Sequence, residues 1–137
     1  MNKLIVKINS KQNSDKQDMI RMQALANAYD KNGILYVIYK EQDLNEKQET
    51  STMLKIQEDS LTLTRTGGVQ QQQFFAQGQE SVSEYVTPFG NLKMKVKTHR
   101  LKMITGVKRV IKINYALYIN DSWQSDNELV IKLEPAN

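Results

Sequence analysis

From Leu92 to Thr98 the chain alternates without a break. Leu92, Met94, Val96 and Thr98 fall on one side, and Lys93, Lys95, Lys97 and His99 on the other. A period of two is what a β-strand needs to bury one face and wet the other. The same rhythm returns at Ile111, Ile113, Tyr115, Leu117 and Ile119, and again at Leu129, Ile131 and Leu133. A chain built this way folds as a succession of half-buried strands, and its apolar residues mark the inner face. Met94, Val96, Ile111, Ile113, Leu117 and Ile131 are the expected core.

Turn residues divide the rest. Strands are expected at Lys3–Asn9, Ile34–Glu41, Ser51–Glu58, Ser60–Thr66, Val69–Ala76, Glu80–Thr87, from Asn91 onward, at Arg109–Ile119 and at Asn127–Leu133. Between them lie Asn32-Gly33, Asp59, Gly67-Gly68, Gln77-Gly78, Pro88-Phe89-Gly90, Gly106 and Asn120-Asp121. These residue types supply left-handed backbone or stop a ladder. Ser10–Asp18 is polar and reads as a loop. Residues 19–29 are ambiguous: Met19, Met22, Ala26 and Tyr29 keep a helical spacing, but the segment runs into the hairpin signal Asn32-Gly33, which favours a strand. Leu101 and Met103 are apolar on the formerly polar face of their strand, so a β-bulge or bend is expected near His99. Glu134–Asn137 reads as a frayed tail.

Ten short strands joined by short turns must run antiparallel, and closing them into a barrel removes the two open edges. At 137 residues the chain is read as one all-β domain, residues 1–137. The expected fold is an up-and-down barrel of about 8–10 strands, with a two-sheet sandwich as the alternative.

The order of certain residues resembles the YwiB-like family of bacterial domains of unknown function. They are Tyr39 and Glu41, Arg65 and Gly67, Tyr85, Thr87 and Gly90, Thr98, Tyr115 and Leu117, and Asn127 and Leu129. The resemblance implies a calycin (lipocalin-like) β-barrel and makes residues 19–29 a strand, although Ala24, Leu25 and Ala26 are unusual there. It implies no activity. The Gly-x-Trp signature of true lipocalins is absent near the N-terminus, so the resemblance carries over no lipocalin-type ligand.

Chemistry is sparse. There is no cysteine and a single histidine, His99, on a lysine-rich face, so neither a zinc site nor any other metal or cofactor site is expected. No catalytic constellation is visible, and the expectation is a protein that is not an enzyme. The apolar run Leu4–Val6 is too short for a signal peptide, no segment approaches a membrane span, and the absence of cysteine suits the cytoplasm. The Gln70–Gln73 run reads as an exposed or edge strand with no assigned role.

Two functional readings compete. Polar residues extend the buried stripes by one step: Glu41 after Tyr39, Arg65 after Leu63, Asn127 before Leu129. In an up-and-down barrel Glu41, Arg65, Thr87 and Asn127 fall at one rim, with Phe89 and Trp123 in its loops (Gln42–Thr50, Gly67-Gly68, Pro88–Gly90 and Asn120–Asp126) and Tyr85 and Tyr115 deeper inside. That rim is the expected mouth of a small-molecule site, with Arg65 holding an anionic group. The alternative is a nucleic-acid or acidic-protein interaction module on the basic strands 93–112. No acidic residue occurs between Glu84 and Asp121, and Lys93, Lys95, Lys97, Lys108 and Lys112 form the expected patch.

Overall fold

The structure, a computed structural model, describes residues 2–14, 17–42 and 49–136. They form ten strands: β1 (Asn2–Asn13), β2 (Gln17–Lys31), β3 (Ile34–Gln42), β4 (Glu49–Ile56), β5 (Ser60–Thr66), β6 (Gln71–Ala76), β7 (Glu80–Thr87), β8 (Gly90–Ile104), β9 (Arg109–Ile119) and β10 (Ser122–Pro135). All ladders are antiparallel, in the order β6-β5-β4-β3-β2-β1-β10-β9-β8-β7. The segment 19–29 is therefore a strand, and the barrel expectation holds.

Closure happens between β6 and β7, neighbours in sequence that stand at the two ends of the sheet. They share one isolated bridge, Gln70 with Val86, through backbone hydrogen bonds of 2.9 and 2.8 Å. Nearer their turn, the Ser81 hydroxyl donates to the Phe74 carbonyl at 3.0 Å, and Gly78 N–H and Thr98 N–H bond to Thr98 and Gln79 carbonyls across β8. The barrel is nearly closed, with a seam in place of a tenth ladder.

Two turns follow their sequence signals closely. Asn32-Gly33 has φ of 55° and 81°, and Asn120-Asp121 has 49° and 68°, the paired left-handed conformations of a two-residue hairpin. At Gly67 (φ 133°) a Cβ would collide with the Glu49 carbonyl, so the chain must approach its neighbour there without a side chain. The expected bulge lies at His99: Thr98 pairs with Tyr115 and Arg100 with Asn114, leaving His99 extra, and Thr98 and Leu101 both turn inward.

Three boundaries differ from expectation. Glu134 and Pro135 are not a frayed tail but the end of β10, paired with Ile5 and Leu4 of β1. The polar stretch after Asn9 is not a loop up to Asp18; β1 continues to Asn13, because β2 on one side and β10 on the other supply ladder partners to Ser10, Lys11 and Gln12. Residues 120–126 are not a loop either. The tight Asn120-Asp121 turn starts β10 at Ser122, and a bulge between Trp123 and Ser125 resets its register. In all three places pairing across the sheet outweighs local composition.

The core is one cluster inside the barrel, with Val6, Val37, Leu54, Leu61, Phe75, Ile111, Ile113 and Ile131 fully buried. Five of the six expected core residues are buried, and the sixth, Leu117, is partly exposed against the cluster. Ala24, Ala26 and Ala28 face inward as small residues, while Leu25 points out and is 59% exposed. Phe75 meets Tyr115 edge-on, ring centroids 5.0 Å apart.

Candidate functional site

Ladder register sets the inner wall. Tyr39, Thr52, Arg65 and Gln71 are successive partners across β3–β6, and one step deeper come Val37, Leu54, Leu63 and Gln73. The first row is polar and the second mostly apolar, so the change from mouth to core takes two residues.

Arg65 organises the mouth. Its Nη2 donates to Glu41 Oε2 at 2.9 Å and its Nη1 to Gln71 Oε1 at 3.2 Å. Both members of the ion pair are half-buried, with 30% and 25% of their side chains exposed. The Arg65 Nε is buried and has no hydrogen-bond partner among the described residues. Beneath them Tyr39 is 2% exposed; burial first, then the Glu41 carboxylate, push its hydroxyl well above the ordinary phenol range, while Arg65 pulls the other way.

An open cleft of about 690 Å³ adjoins this pair, bordered by Met22, Glu41, Thr50, Arg65, Val69 and Tyr85 among others. It exists because β2 leaves β3. The β2–β3 ladder covers only Asn27–Lys31, whereas β1 pairs β2 along almost its whole length. Among the described residues, the β3-facing edge of β2 before Asn27 has no ladder.

On the opposite wall Thr98, Tyr115 and Asn127 are ladder partners across β8–β10. Asn127 is 3% exposed, yet among the described residues neither atom of its amide has a partner in hydrogen-bond geometry; the same holds for the hydroxyls of Thr98 and of Thr52, which stands beside the Tyr39 hydroxyl. Burial pushes the Tyr115 hydroxyl up to about 12, against a smaller downward pull from the neighbouring Asn127 amide, which stands close without reaching hydrogen-bond geometry.

The six residues expected to form the site separate into three groups. Glu41, Arg65 and Tyr85 border the cleft. Tyr115 and Asn127 line the barrel interior and are absent from the cleft's border. Thr87 belongs to its own turn, its hydroxyl donating to Gly90 O at 2.7 Å and accepting from Phe89 N–H at 3.2 Å. Of the rim aromatics, Phe89 is 99% exposed and Trp123 donates its indole N–H to Asp126. Most of the expected rim loop Gln42–Thr50 lies outside the described residues. Missed from the sequence were Thr50, Thr52, Gln71 and Gln73. Gln73 is buried, and both glutamines reach the Met94 sulfur, at 3.4 and 3.3 Å. Their signal was present: Gln71 and Gln73 share the parity of Phe75.

The five expected patch lysines are dispersed. Lys93 pairs with Asp121 at 2.9 Å, Lys97 with Glu80 at 3.4 Å and Lys108 with Glu134 at 3.7 Å. Lys95 and Lys97 lie over the Tyr118 ring at 4.8 and 4.9 Å. Only Lys112 stands clear of acids and rings, on the outer face of β9. Among the described residues no group of three His, Asp or Glu side chains is placed to hold a metal ion.

These features define a ten-stranded antiparallel barrel with an apolar core, a polar end and an open cleft beside that end. The chain belongs to the family described as Domain of unknown function (DUF1934), whose model matches residues 6–131. It is similar to the "Uncharacterized beta-barrel protein YwiB" of Bacillus subtilis (strain 168), at 26% identity over 120 residues, 86% of this chain and 82% of the relative. The crystal structure of the ywiB protein from Bacillus subtilis superposes with a TM-score of 0.88, at 22% identity, over 99% of this chain and 93% of that one. The resemblance read from the sequence is borne out, and with it the fold.

Proposed function

We propose that this barrel binds a small polar molecule, admitted at the cleft between β2 and the β3–β5 wall and held by groups that the protein leaves unpaired. One observation carries the reading: among the described residues, Arg65 Nε, Thr52 Oγ1, Thr98 Oγ1 and both amide atoms of Asn127 are buried with no partner in hydrogen-bond geometry. Proteins rarely leave such groups unsatisfied, because each costs about 1–3 kcal/mol. A ligand carrying hydroxyl or amide groups supplies what they lack. Glu41 already neutralises Arg65, so the site is electrically balanced and favours an uncharged or zwitterionic ligand over the anion expected from Arg65 alone. The proposal is binding without turnover. Charges such as Lys7, Lys112 and Lys132 stand at outward positions in mid-strand, which suits water and not lipid, and fits the cytoplasmic setting expected from the sequence.

A thermal-shift screen of polyols, sugars, amino acids and nucleosides tests it, since a ligand of the native state raises the melting temperature. Thr52→Val and Asn127→Leu are then expected to lower affinity for any hit at least tenfold. A screen without hits, or hits indifferent to both substitutions, overturns the reading.

A further inference from the structure

On the outside of the barrel the register gathers cations that the sequence scatters over five strands. On the outer face, Lys102 of β8 pairs with Lys112 of β9, which is followed across the sheet by Val130, Asn9 and Arg21. The adjacent row runs Val110, Lys132, Lys7 and Gln23, and the row on the other side Arg100, Asn114, Glu128, Lys11 and Met19. Seven basic side chains thus share one continuous surface with three carboxylates, Glu128 within the rows and Asp126 and Glu134 flanking them on β10. That excess of four equals the formal net charge of the whole chain, +4. Among the described residues, Lys7 is the one of the seven with a carboxylate partner, Glu134 at 3.2 Å.

The arrangement has a definite scale. Neighbouring strands lie about 4.8 Å apart and alternate residues about 6.7 Å apart along a strand, so the patch spans roughly 20 Å by 13 Å. Its polar residues between the cations are amides: Asn9, Gln23 and Asn114. Lys7, Arg21 and Lys132 border one shallow depression with Asn9 and Gln23, and Arg21 and Lys11 border the next. No aromatic ring stands in these rows.

We propose that the β8-β9-β10-β1-β2 outer face binds the phosphate backbone of a nucleic-acid duplex. Charge complementarity selects a polyanion, because unpaired lysines and arginines displace the counterions condensed on phosphates. Interspersed amides suit phosphate and sugar oxygens. Without rings to stack on exposed bases, the surface is poorly suited to a single strand. Met19 at one corner is exposed, but no aromatic anchor of a membrane-surface site stands in these rows. At its β2 side this surface reaches the cleft, which Arg21 and Gln23 also border, but it is separate from the lysines on the β7-side edge of the sheet, which are engaged by Glu80, Asp121 and Tyr118.

Fluorescence anisotropy with labelled duplexes of 20 base pairs, RNA and DNA, tests it. At 50 mM salt the expected dissociation constant is in the micromolar range, and about five phosphate contacts predict a loss of several hundred-fold on going to 200 mM salt. The variant Arg21→Gln/Lys112→Gln/Lys132→Gln is expected to bind at least tenfold more weakly with a shallower salt dependence and an unchanged circular dichroism spectrum. The control Lys93→Gln/Lys97→Gln is expected to stay within twofold. No binding to either duplex overturns the proposal, as does equal binding by the triple variant or an equal loss in the control. Tighter binding of a single-stranded oligomer, of poly-glutamate or of anionic phospholipid vesicles overturns it too, and reassigns the face to that partner.

Discussion

Arg65 reaches Glu41 across an intervening strand. The two residues sit on β5 and β3, which are not ladder neighbours, and the 2.9 Å contact passes over β4 where that strand carries Thr50 and Thr52. Small side chains beneath the bridge let a long one span it, and the pair ties three strands together where β3 has left β2. Half-burial makes this contact stronger than a surface ion pair and exposes whichever partner is left alone.

Arg65→Ala is therefore expected to destabilise the fold by about 1–3 kcal/mol, since Glu41 loses a charge-assisted hydrogen bond. Removing both charges with Arg65→Met/Glu41→Gln is expected to cost less than the sum of the two single changes. Urea denaturation of the four proteins of that cycle measures the coupling; strict additivity would show that the bridge contributes nothing.

Asn127 gives the opposite sign. Its buried amide has no partner, so Asn127→Leu is expected to raise stability by about 1–2 kcal/mol in the absence of ligand, by replacing an unsatisfied polar group with an apolar one of similar size. A gain in melting temperature is the readout. Combined with weakened ligand binding, it would mark Asn127 as kept for recognition at the expense of stability.

In the packed half of the barrel, Ile113 is fully buried and belongs to the main cluster. Ile113→Ala is expected to cost about 2–5 kcal/mol, as for other emptied core positions. Denaturant midpoints check this; a loss under about 0.5 kcal/mol would contradict the tight packing described for it.

Alkaline pH tests the tyrosines. Tyr115 has its folded pKa raised to about 12 from an ordinary 10.0, so the folded state holds a proton that the unfolded chain gives up. Stability from this group is complete below pH 10 and falls as pH rises towards 12, by an amount on the order of 2 kcal/mol. Tyr39 acts in the same direction. Denaturation curves between pH 9 and 12 should show the decline, and Tyr115→Phe should make it shallower.

How far the sequence could be read depended on whether a residue's environment was local. Turns such as Asn32-Gly33 and Asn120-Asp121 carry their conformation in their own residue types, and the bulge at His99 announced itself by the change of parity before Leu101. Ser10–Gln12 misled because their strand character comes from β2 and β10, which composition cannot see. Glu41 and Arg65 were found together because each prolongs an apolar stripe towards the same rim. Gln71 and Gln73 were passed over because four consecutive glutamines look uniform, although alternate members face opposite sides. The lysine patch shows the limit most clearly. Lys93 and Lys97 were conspicuous in the sequence, but their partners Asp121 and Glu80 lie on other segments; Arg21, Lys132 and Lys112 are far apart in sequence and become neighbours only through the ladders.

The position of the seam gives the chain a hidden order. Read from β7 through β10, then β1 through β6, the strands follow their spatial sequence one by one, and Lys3 O already accepts a hydrogen bond of 3.2 Å from Ala136 N–H beside the β1–β10 ladder. A gene that joined the end of β10 to the start of β1 with a short linker and began instead at Gly78 would encode the same nine ladders as a simple meander. Every ladder would then join successive strands: β1 with β10, the one ladder among the described residues between strands not successive in the chain, would become a local hairpin, and the Gln70–Val86 bridge alone would tie the first strand to the last. Such a permuted chain, with a lower contact order, should fold faster than the natural one while keeping the same barrel.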